Sequence, residues 1–417
     1  MIEHLRSPAG VLRPKRLGVA LVALATLASM GLSSVSGAVT HAQAKTHGAA
    51  IEFGTVSEDT GGGVSPDTAN GVTLGVRYVN ETGGIFGHPV IDSRCDDGGS
   101  STTDTTCVNN FIHTKKFIGI VTGATAYNGP IGIPAYEAAK MPVIDDSASA
   151  SAQWNSTVSL DVVGGIGTTE GILAEHFHAL KLKKVDVAWI DVTAVSSLVT
   201  LYDHFGAKLG EHISSTPISP TVTDFTATAV AIEATGAHAV FIIEGVSQNV
   251  SLVQALRSTN YKGIISVLPD NINSASVAAM GSDASGVLAA TPFAAPSTLK
   301  GATKTVYVAY EKLLTASHYP ASSANLAGFV GVLAARAAIQ QVPGGYSHLT
   351  RASFLKVLLK GTLKNVPFLP AAVSRSLAPK GAAYTSLANP TGFLAVCHVG
   401  GSITSSGSRI APFNLFK

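Results

Sequence analysis

Residues 70–87 read NGVTLGVRYVNETGGIFG and carry the clearest structural pattern in the chain. Apolar side chains recur there at the spacing of one helix face: Val72, Leu74, Val76 and Val79. This spacing predicts a helix over residues 70–80, and Gly83-Gly84 is typical of residues that end one. Short strand-like runs lie on both sides, at residues 51–56 and 88–92. Together these segments predict a β-α-β unit.

The alternation of strand-like and helix-like segments continues to residue 145 and then starts again. In the first series, besides the segments above, we predict helices at 103–113 and 130–139 and strands at 117–121 and 142–145. A glycine-rich break follows at residues 164–167. In the second series we predict helices at 169–180, 196–209, 225–235 and 249–258, with strands at 185–190, near 213, at 239–243 and 263–267. Two series of similar size predict an α/β fold of two doubly wound, Rossmann-like lobes. Ligands bind such sheets where the strands end, in a cleft.

Length and charge agree with a two-lobed globular protein. The chain has 417 residues, of which 46% are apolar and 13% charged, and this length is enough for two cores. The formal net charge is +2, but the first 44 residues hold four basic residues and one acidic residue. The remainder carries 24 basic and 25 acidic residues. A nearly neutral surface excludes an electrostatic site for nucleic acid or an anionic membrane.

The first 44 residues are predicted to be a secretion signal. A basic run at residues 13–16 precedes an apolar stretch at 17–32. Small residues suited to a signal peptidase follow, with cleavage at Ala38, Ala42 or Ala44. The alternative is a retained membrane anchor, for which the apolar stretch is short because a span needs roughly 20 residues. We therefore expect a secreted, extracytoplasmic protein.

Three cysteines fit an exported protein. Cys95 and Cys107 are close in sequence, and Cys397 stands apart. In an oxidising compartment the first two can pair, closing a loop worth about 3 kcal/mol. Two buried free thiols are the alternative. A metal site is less favoured, since the flanking His88 and His113 do not complete a ligand spacing.

Residues 70–87 resemble the type I periplasmic binding proteins, in the leucine/isoleucine/valine-binding branch that serves branched-chain amino acid ABC transporters. The resemblance extends over Cys95-Asp96-Asp97-Gly98, over Gly123 and over Met141-Pro142-Val143-Ile144. In many relatives a cysteine at the first of these positions pairs with one on the next helix, so the resemblance implies a Cys95–Cys107 disulfide.

The resemblance also implies an architecture and a function. The two lobes would comprise residues 45–166 with about 294–370, and 167–293 with about 371–417, joined by a three-crossover hinge. The protein would capture a small amino-acid-like ligand between the lobes and present it to the membrane permease of an ABC transporter. A ligand sensor of the same fold that signals to a membrane receptor is the alternative.

Ligand-binding residues are expected in the loops after the strands. In the first lobe the candidates are Thr125 and Tyr127, before a helix predicted to begin near Pro130, and Ser147 and Ser149, after the next strand. In the family such hydroxyls and backbone N–H groups hold a ligand carboxylate, which a helix N-terminus also favours. Simple helix capping is the alternative for each residue.

Three candidates lie in the second lobe. Val195 falls in the loop where relatives often carry an aromatic residue that stacks on the ligand. Glu244 and Asp270 follow two successive strands and would bind a ligand ammonium, as a carboxylate does in the amino-acid binders of the family. A solvated loop carboxylate is the alternative for both. The expected ligand is a branched-chain or similar amino acid, and the alternative is a neutral amide or a short carboxylate without an amine.

No enzyme motif competes with this interpretation. Residues 165–170, GIGTTE, depart from G-x-G-x-x-G at the last position and follow no clear strand. The sequence contains no G-x-S-x-G elbow, P-loop or H-E-x-x-H motif. We therefore predict a binding protein with no catalytic residues, no cofactor and no metal.

Overall fold

The computed structural model describes residues 46–61, 66–125, 127–146, 148–377, 391–398, 403–410 and Leu415. The predicted secretion signal, residues 1–44, lies outside this range. Within it, no helix has the length and apolarity needed to cross a membrane.

The first sheet has five parallel strands in the order β2-β1-β3-β4-β5. The strands are β1 (Ile51–Ser57), β2 (Val90–Asp96), β3 (Phe117–Ala124), β4 (Val143–Asp145) and β5 (Ser159–Asp161). The helices between them are α1 (Asp67–Glu81), α2 (Ser101–His113), α3 (Ile133–Ala139) and α4 (Ser151–Trp154). A π-helical turn, Asn128–Gly132, precedes α3, so the helix predicted at 130–139 is divided in two.

The second sheet has seven strands, in the order β14 (Ile403–Ile410), β13 (Thr391–Cys397), β10, β9, β8, β6 and β7. Its parallel strands are β6 (Lys184–Ile190), β7 (His212–Ile218), β8 (Ala239–Ile243), β9 (Ile264–Val267) and β10 (Leu288–Thr291). The helices are α5 (Gly165–Ala179), α6 (Thr193–Leu209), α7 (Thr226–Ala234), α8 (Val246–Ser258) and α9 (Ser274–Met280).

The chain then returns to the first sheet before it completes the second. Helices α10 (Gly301–Ser317), α11 (Ser323–Ile339) and α12 (Arg351–Lys360) contribute to the core cluster that contains Phe53 of β1. A small hairpin pairs β11 (Leu363–Lys364) with β12 (Ala372–Val373). Strands β13 (Thr391–Cys397) and β14 (Ile403–Ile410) then add to the second sheet as antiparallel strands.

Two connections between the sheets are visible, from β5 into α5 and from β10 into α10. The first turns at Gly164, whose φ of 86° is a left-handed conformation that a glycine adopts without strain. Residues 378–390 are outside the described part of the chain, and the third crossover stays a prediction. The α/β fold of two doubly wound lobes is confirmed, and the exact lobe boundaries given above stay a prediction.

Helix α11 is held against α1 by two glycines at the point where the helices cross. A Cβ atom on Gly71 would lie 1.9 Å from the Asn325 carbonyl oxygen, and one on Gly328 would lie 1.9 Å from the Thr68 carbonyl oxygen. Only residues without a side chain allow this approach. The crossing fixes the amino-terminal ends of both helices beside each other.

Cysteine pairing is confirmed. Cys95 at the end of β2 and Cys107 on α2 form a disulfide with a Cα–Cα distance of 5.8 Å, inside the usual range. Cys397 is free and buried on β13, and desolvation raises the pKa of its thiol to about 11.

Helix α6 starts earlier than the sequence predicted, and this moves one candidate residue. The helix begins at Thr193, and the Val195 N–H donates to the Val192 carbonyl at 3.0 Å. Val195 therefore lies in the first turn of a helix rather than in a loop. The helix extends to this residue because the Val195 side chain packs against the core cluster of the second sheet.

Candidate functional site

A cavity lies where the carboxyl ends of the two sheets face each other, and we call it the cleft cavity. It is lined by Thr68, Asp146, Val163, Gly165, Ile166, Thr169, Pro269, Asp270, Pro292, Ser323, Ala324 and Ala327. These residues follow β4, β5, β9 and β10 or belong to α1, α5 and α11, so both sheets contribute. Its volume is about 30 Å³, which accommodates about two water molecules. A larger ligand requires its walls to separate.

Three helices present their amino-terminal turns to the cleft cavity. Thr68, Thr169 and Ser323 lie in the first or second turn of α1, α5 and α11, respectively. No side chain caps the first turn of α1 or of α5 among the residues described. Helix amino termini carry N–H donors and partial positive charge, so these turns suit a carboxylate or carbonyl oxygen.

Two carboxylates face the same cavity from opposite sheets. Asp146 follows β4 and is 3% exposed, and its Oδ2 lies over Gly331 of α11. Asp270 lies in a 3₁₀ turn after β9, and desolvation, followed by the charge of Asp67, raises its pKa to about 6. Asp67 is the first residue of α1 and is itself buried. A cationic ligand group between the sheets would offset this accumulation of negative charge.

The turn that carries Asp270 is anchored through Glu244. The Glu244 backbone carbonyl accepts hydrogen bonds from Asn271 Nδ2 at 2.8 Å and from Asn249 Nδ2 at 2.7 Å. The Glu244 side chain is 6% exposed, and desolvation raises its pKa to about 7. Of this predicted pair, Asp270 lines the cleft cavity, and Glu244 holds the Asp270 turn through its backbone carbonyl; the role of both side chains toward a ligand stays a prediction.

Thr125 and Tyr127 are held by the loop after β2. The Thr125 hydroxyl donates to the Asp97 carboxylate and accepts from the Tyr127 N–H at 3.2 Å. The Tyr127 hydroxyl donates to the Gly99 carbonyl at 3.1 Å. Both hydroxyls are thus engaged within the first sheet's own loops, and their role toward a ligand stays a prediction.

Ser149 contacts helix α6, which also carries Val195, and Ser147 lies outside the described residues. The Ser149 N–H donates to Gln153 Oε1 at 3.1 Å, which positions the loop after β4. The Ser149 carbonyl accepts from the hydroxyl of Ser197, on α6, at 3.3 Å. Val195 lies two residues before Ser197 in the first turn of that helix. Ser149 and Ser197 thus form a lobe-to-lobe contact, and the roles of Ser149 and Val195 in ligand binding stay predictions.

Several cavity-lining residues were not predicted from sequence. Asp146 stands directly after a predicted strand, a signal that could have identified it. Thr68 and Ser323 gave no such signal, because they meet only through the crossing of α1 and α11. Among the described residues, no group of three or more histidine, cysteine or acidic side chains is placed to hold a metal ion.

Comparison with known proteins agrees with this geometry. Residues 50–384 match the model of the periplasmic binding protein family. The chain belongs to that family. The resemblance noted from residues 70–87 is confirmed, and membership implies an extracytoplasmic location, a small-molecule ligand and a permease partner. A search of curated protein sequences gave no match.

Solved structures of periplasmic binding proteins share the fold. A leucine-binding protein, LivK, from Thermotoga maritima has a TM-score of 0.72 at 14% identity, with 87% of this chain and 99% of that chain covered. A fatty acid ABC transporter substrate-binding protein from Thermomonospora curvata has a TM-score of 0.73 at 17% identity, covering 89% and 95%.

A third structure shows another ligand. The solute-binding protein of an ABC transporter from Rhodopseudomonas palustris, in complex with 3,4-dihydroxybenzoic acid, has a TM-score of 0.70 at 15% identity, covering 87% and 98%. The ligands of these similar proteins differ, so the fold does not identify the ligand of this one.

Proposed function

We propose that this periplasmic binding protein is a secreted, non-enzymatic solute receptor of an ABC transporter, and that its ligand is a small amino acid with an aliphatic side chain. The observation that carries the proposal is that Asp146 and Asp270, which follow strands of opposite sheets, line the same cavity. A ligand that binds both sheets favours the closed arrangement through contacts unavailable when the cleft is open. The permease can then distinguish loaded from empty protein.

Charge complementarity supports an amino acid. The two carboxylates suit an ammonium group, and the amino termini of α1, α5 and α11 suit a carboxylate. The same lining includes the aliphatic side chains of Val163, Ile166 and Ala327. A branched-chain amino acid is the first candidate, since it combines these groups in one molecule.

Calorimetry can test the ammonium site directly. The titrants are L-leucine, its decarboxylated amine 3-methylbutylamine and its deaminated acid 4-methylpentanoate, added to protein freed of any carried ligand by unfolding and refolding. Loss of the amine leaves a carboxylate in the cavity without its partner, which should cost about 2 kcal/mol, roughly 30-fold in affinity. Asp270→Asn should weaken leucine binding by a similar factor and reduce the preference for leucine over 4-methylpentanoate.

Asp224→Asn is the matched control, because Asp224 is exposed in the loop before α7. It should leave all three affinities unchanged. If 4-methylpentanoate binds as tightly as leucine, the ammonium site is wrong. If no amino acid in a wider panel binds, the proposed ligand class is wrong, and mass spectrometry of solute carried through purification gives the replacement.

A further inference from the structure

A second and larger cavity lies on the other side of the turn that carries Asp270. This hinge cavity has a volume of about 270 Å³. Phe293, Tyr307 and Leu326 form one wall and belong to or pack on the core of the first sheet. Ile272 and Ala289 form the opposite wall and belong to a core cluster of the second sheet. An occupant would therefore touch both halves of the molecule.

Hydroxyl groups that line the hinge cavity already have hydrogen-bond partners. The Tyr310 hydroxyl donates to Asn325 Oδ1 at 3.2 Å, and the Thr291 and Ser323 hydroxyls lie 3.2 Å apart. Ser322 Oγ accepts from the Asn325 N–H at 3.1 Å. The described lining residues include no charged side chain. The cavity thus offers aromatic and aliphatic surface with few hydrogen-bonding groups to spare.

The size of the cavity sets the size of an occupant. An apolar protein cavity of about 150 Å³ binds benzene, which has six non-hydrogen atoms. In proportion, about 270 Å³ accommodates about 11 such atoms. The rings of Tyr307 and Tyr310 lie 6.0 Å apart and Phe293 lies 6.4 Å from Phe368, so aromatic edges and faces border the space.

We propose that the hinge cavity is a second ligand site, distinct from the cleft cavity, for a neutral aromatic molecule of about 11 non-hydrogen atoms. Pro269 and Ser323 line both cavities, so the two sites share a wall. Because an occupant would bridge both lobes beside that wall, it would favour one arrangement of the cleft.

The test uses 1-naphthol, a neutral aromatic molecule with 11 non-hydrogen atoms, measured by calorimetry and by saturation-transfer NMR. We expect a dissociation constant on the order of 0.1 mM. Cinnamate, a charged aromatic molecule that also has 11 non-hydrogen atoms, should bind at least tenfold more weakly, since its carboxylate would be desolvated without a cation to pair it. Absence of saturable naphthol binding, or equal binding of cinnamate, would overturn the proposal.

Variants locate the site. Ala321 is exposed at the rim of the hinge cavity, and Ala321→Trp should fill its mouth and weaken naphthol binding at least tenfold. Ala294→Trp, from another part of the rim, is the second variant if the first does not fold by circular dichroism. Ala227→Trp, on exposed helix α7, is the control and should bind like the parent.

The hinge site can be wrong while the proposed function is right. If both rim variants fold and bind naphthol as the parent does, the hinge cavity is not the site. If Asp270→Asn abolishes naphthol binding and the rim variants do not, naphthol occupies the cleft. Leucine titrations of the same variants report separately on the proposed function.

Discussion

Replacement of Gly328 by alanine should lower the free energy of unfolding by about 3 kcal/mol. The new Cβ would lie 1.9 Å from the Thr68 carbonyl oxygen and 2.9 Å from the Val72 nitrogen. Both are backbone atoms of α1, so no side-chain rotation can relieve the overlap. The helices must move apart, which opens the core of the first sheet and displaces the amino termini that border the cleft cavity. Urea unfolding followed by circular dichroism measures the change.

Gly206→Ala, on α6, is the matched control for this substitution. The three atoms nearest to its new Cβ would all belong to side chains: Cδ1 and Cγ1 of Ile213, at 2.6 and 2.7 Å, and a carboxylate oxygen of Glu211 at 3.4 Å. Such atoms can move, and alanine favours a helix interior over glycine by about 1 kcal/mol. We expect a change within about 1 kcal/mol of the parent. If both variants are equally stable, the helix crossing does not limit stability and this interpretation is wrong.

Raising the pH from 5 to 8 should destabilise the protein by several kcal/mol. Asp104, Glu211 and Glu244 are buried carboxyl groups, and desolvation raises the pKa of each to about 7. In the unfolded chain these groups return to pKa values of about 4. The folded state therefore binds their protons more tightly than the unfolded chain does. The resulting contribution to the free energy of unfolding is present below about pH 4 and is lost as the pH rises through 7. Each group accounts for roughly 2 kcal/mol between pH 5 and 8.

Glu211→Gln isolates one of these contributions. Glu211 packs near Tyr202 and Glu175, and the nearby Lys183 only partly offsets the rise in its pKa. Urea titrations at pH 5 and pH 8 should show a stability difference smaller by roughly 2 kcal/mol in this variant than in the parent. Glu233→Gln, on the exposed side of α7, should leave the difference unchanged. Equal stability of the parent at both pH values would contradict the account.

The sequence predicted those helices and strands whose apolar residues recur at a regular spacing along the chain. The spacing of Val72, Leu74, Val76 and Val79 predicted α1, and the strands before and after it followed from short apolar runs. Asp270 could be placed at the cleft because the ends of parallel strands meet at one edge of a sheet. From their spacing alone, Cys95 and Cys107 could form a disulfide or remain free thiols. The family resemblance favoured the disulfide, which the structure shows.

Residues that depend on distant contacts could not be predicted in this way. Ser323 borders the cleft cavity because α11 crosses α1, and that crossing needs Gly71 and Gly328, which are more than 250 residues apart. Thr125 occupies the expected loop, yet the direction of its hydroxyl depends on Asp97 from another strand's loop. Val195 was expected in a loop because periodicity does not locate the first turn of a helix well.

Small-angle X-ray scattering tests the clamp most directly. The cleft cavity of about 30 Å³ is too small for an amino acid, so the walls must open to admit one and close again on it. In the clamp, ligand-free protein adopts an open arrangement in solution and closes on its ligand, so the radius of gyration of protein freed of ligand should decrease when leucine, or the solute identified by mass spectrometry, is added to saturation. An unchanged radius, with binding confirmed by calorimetry on the same sample, would contradict the clamp.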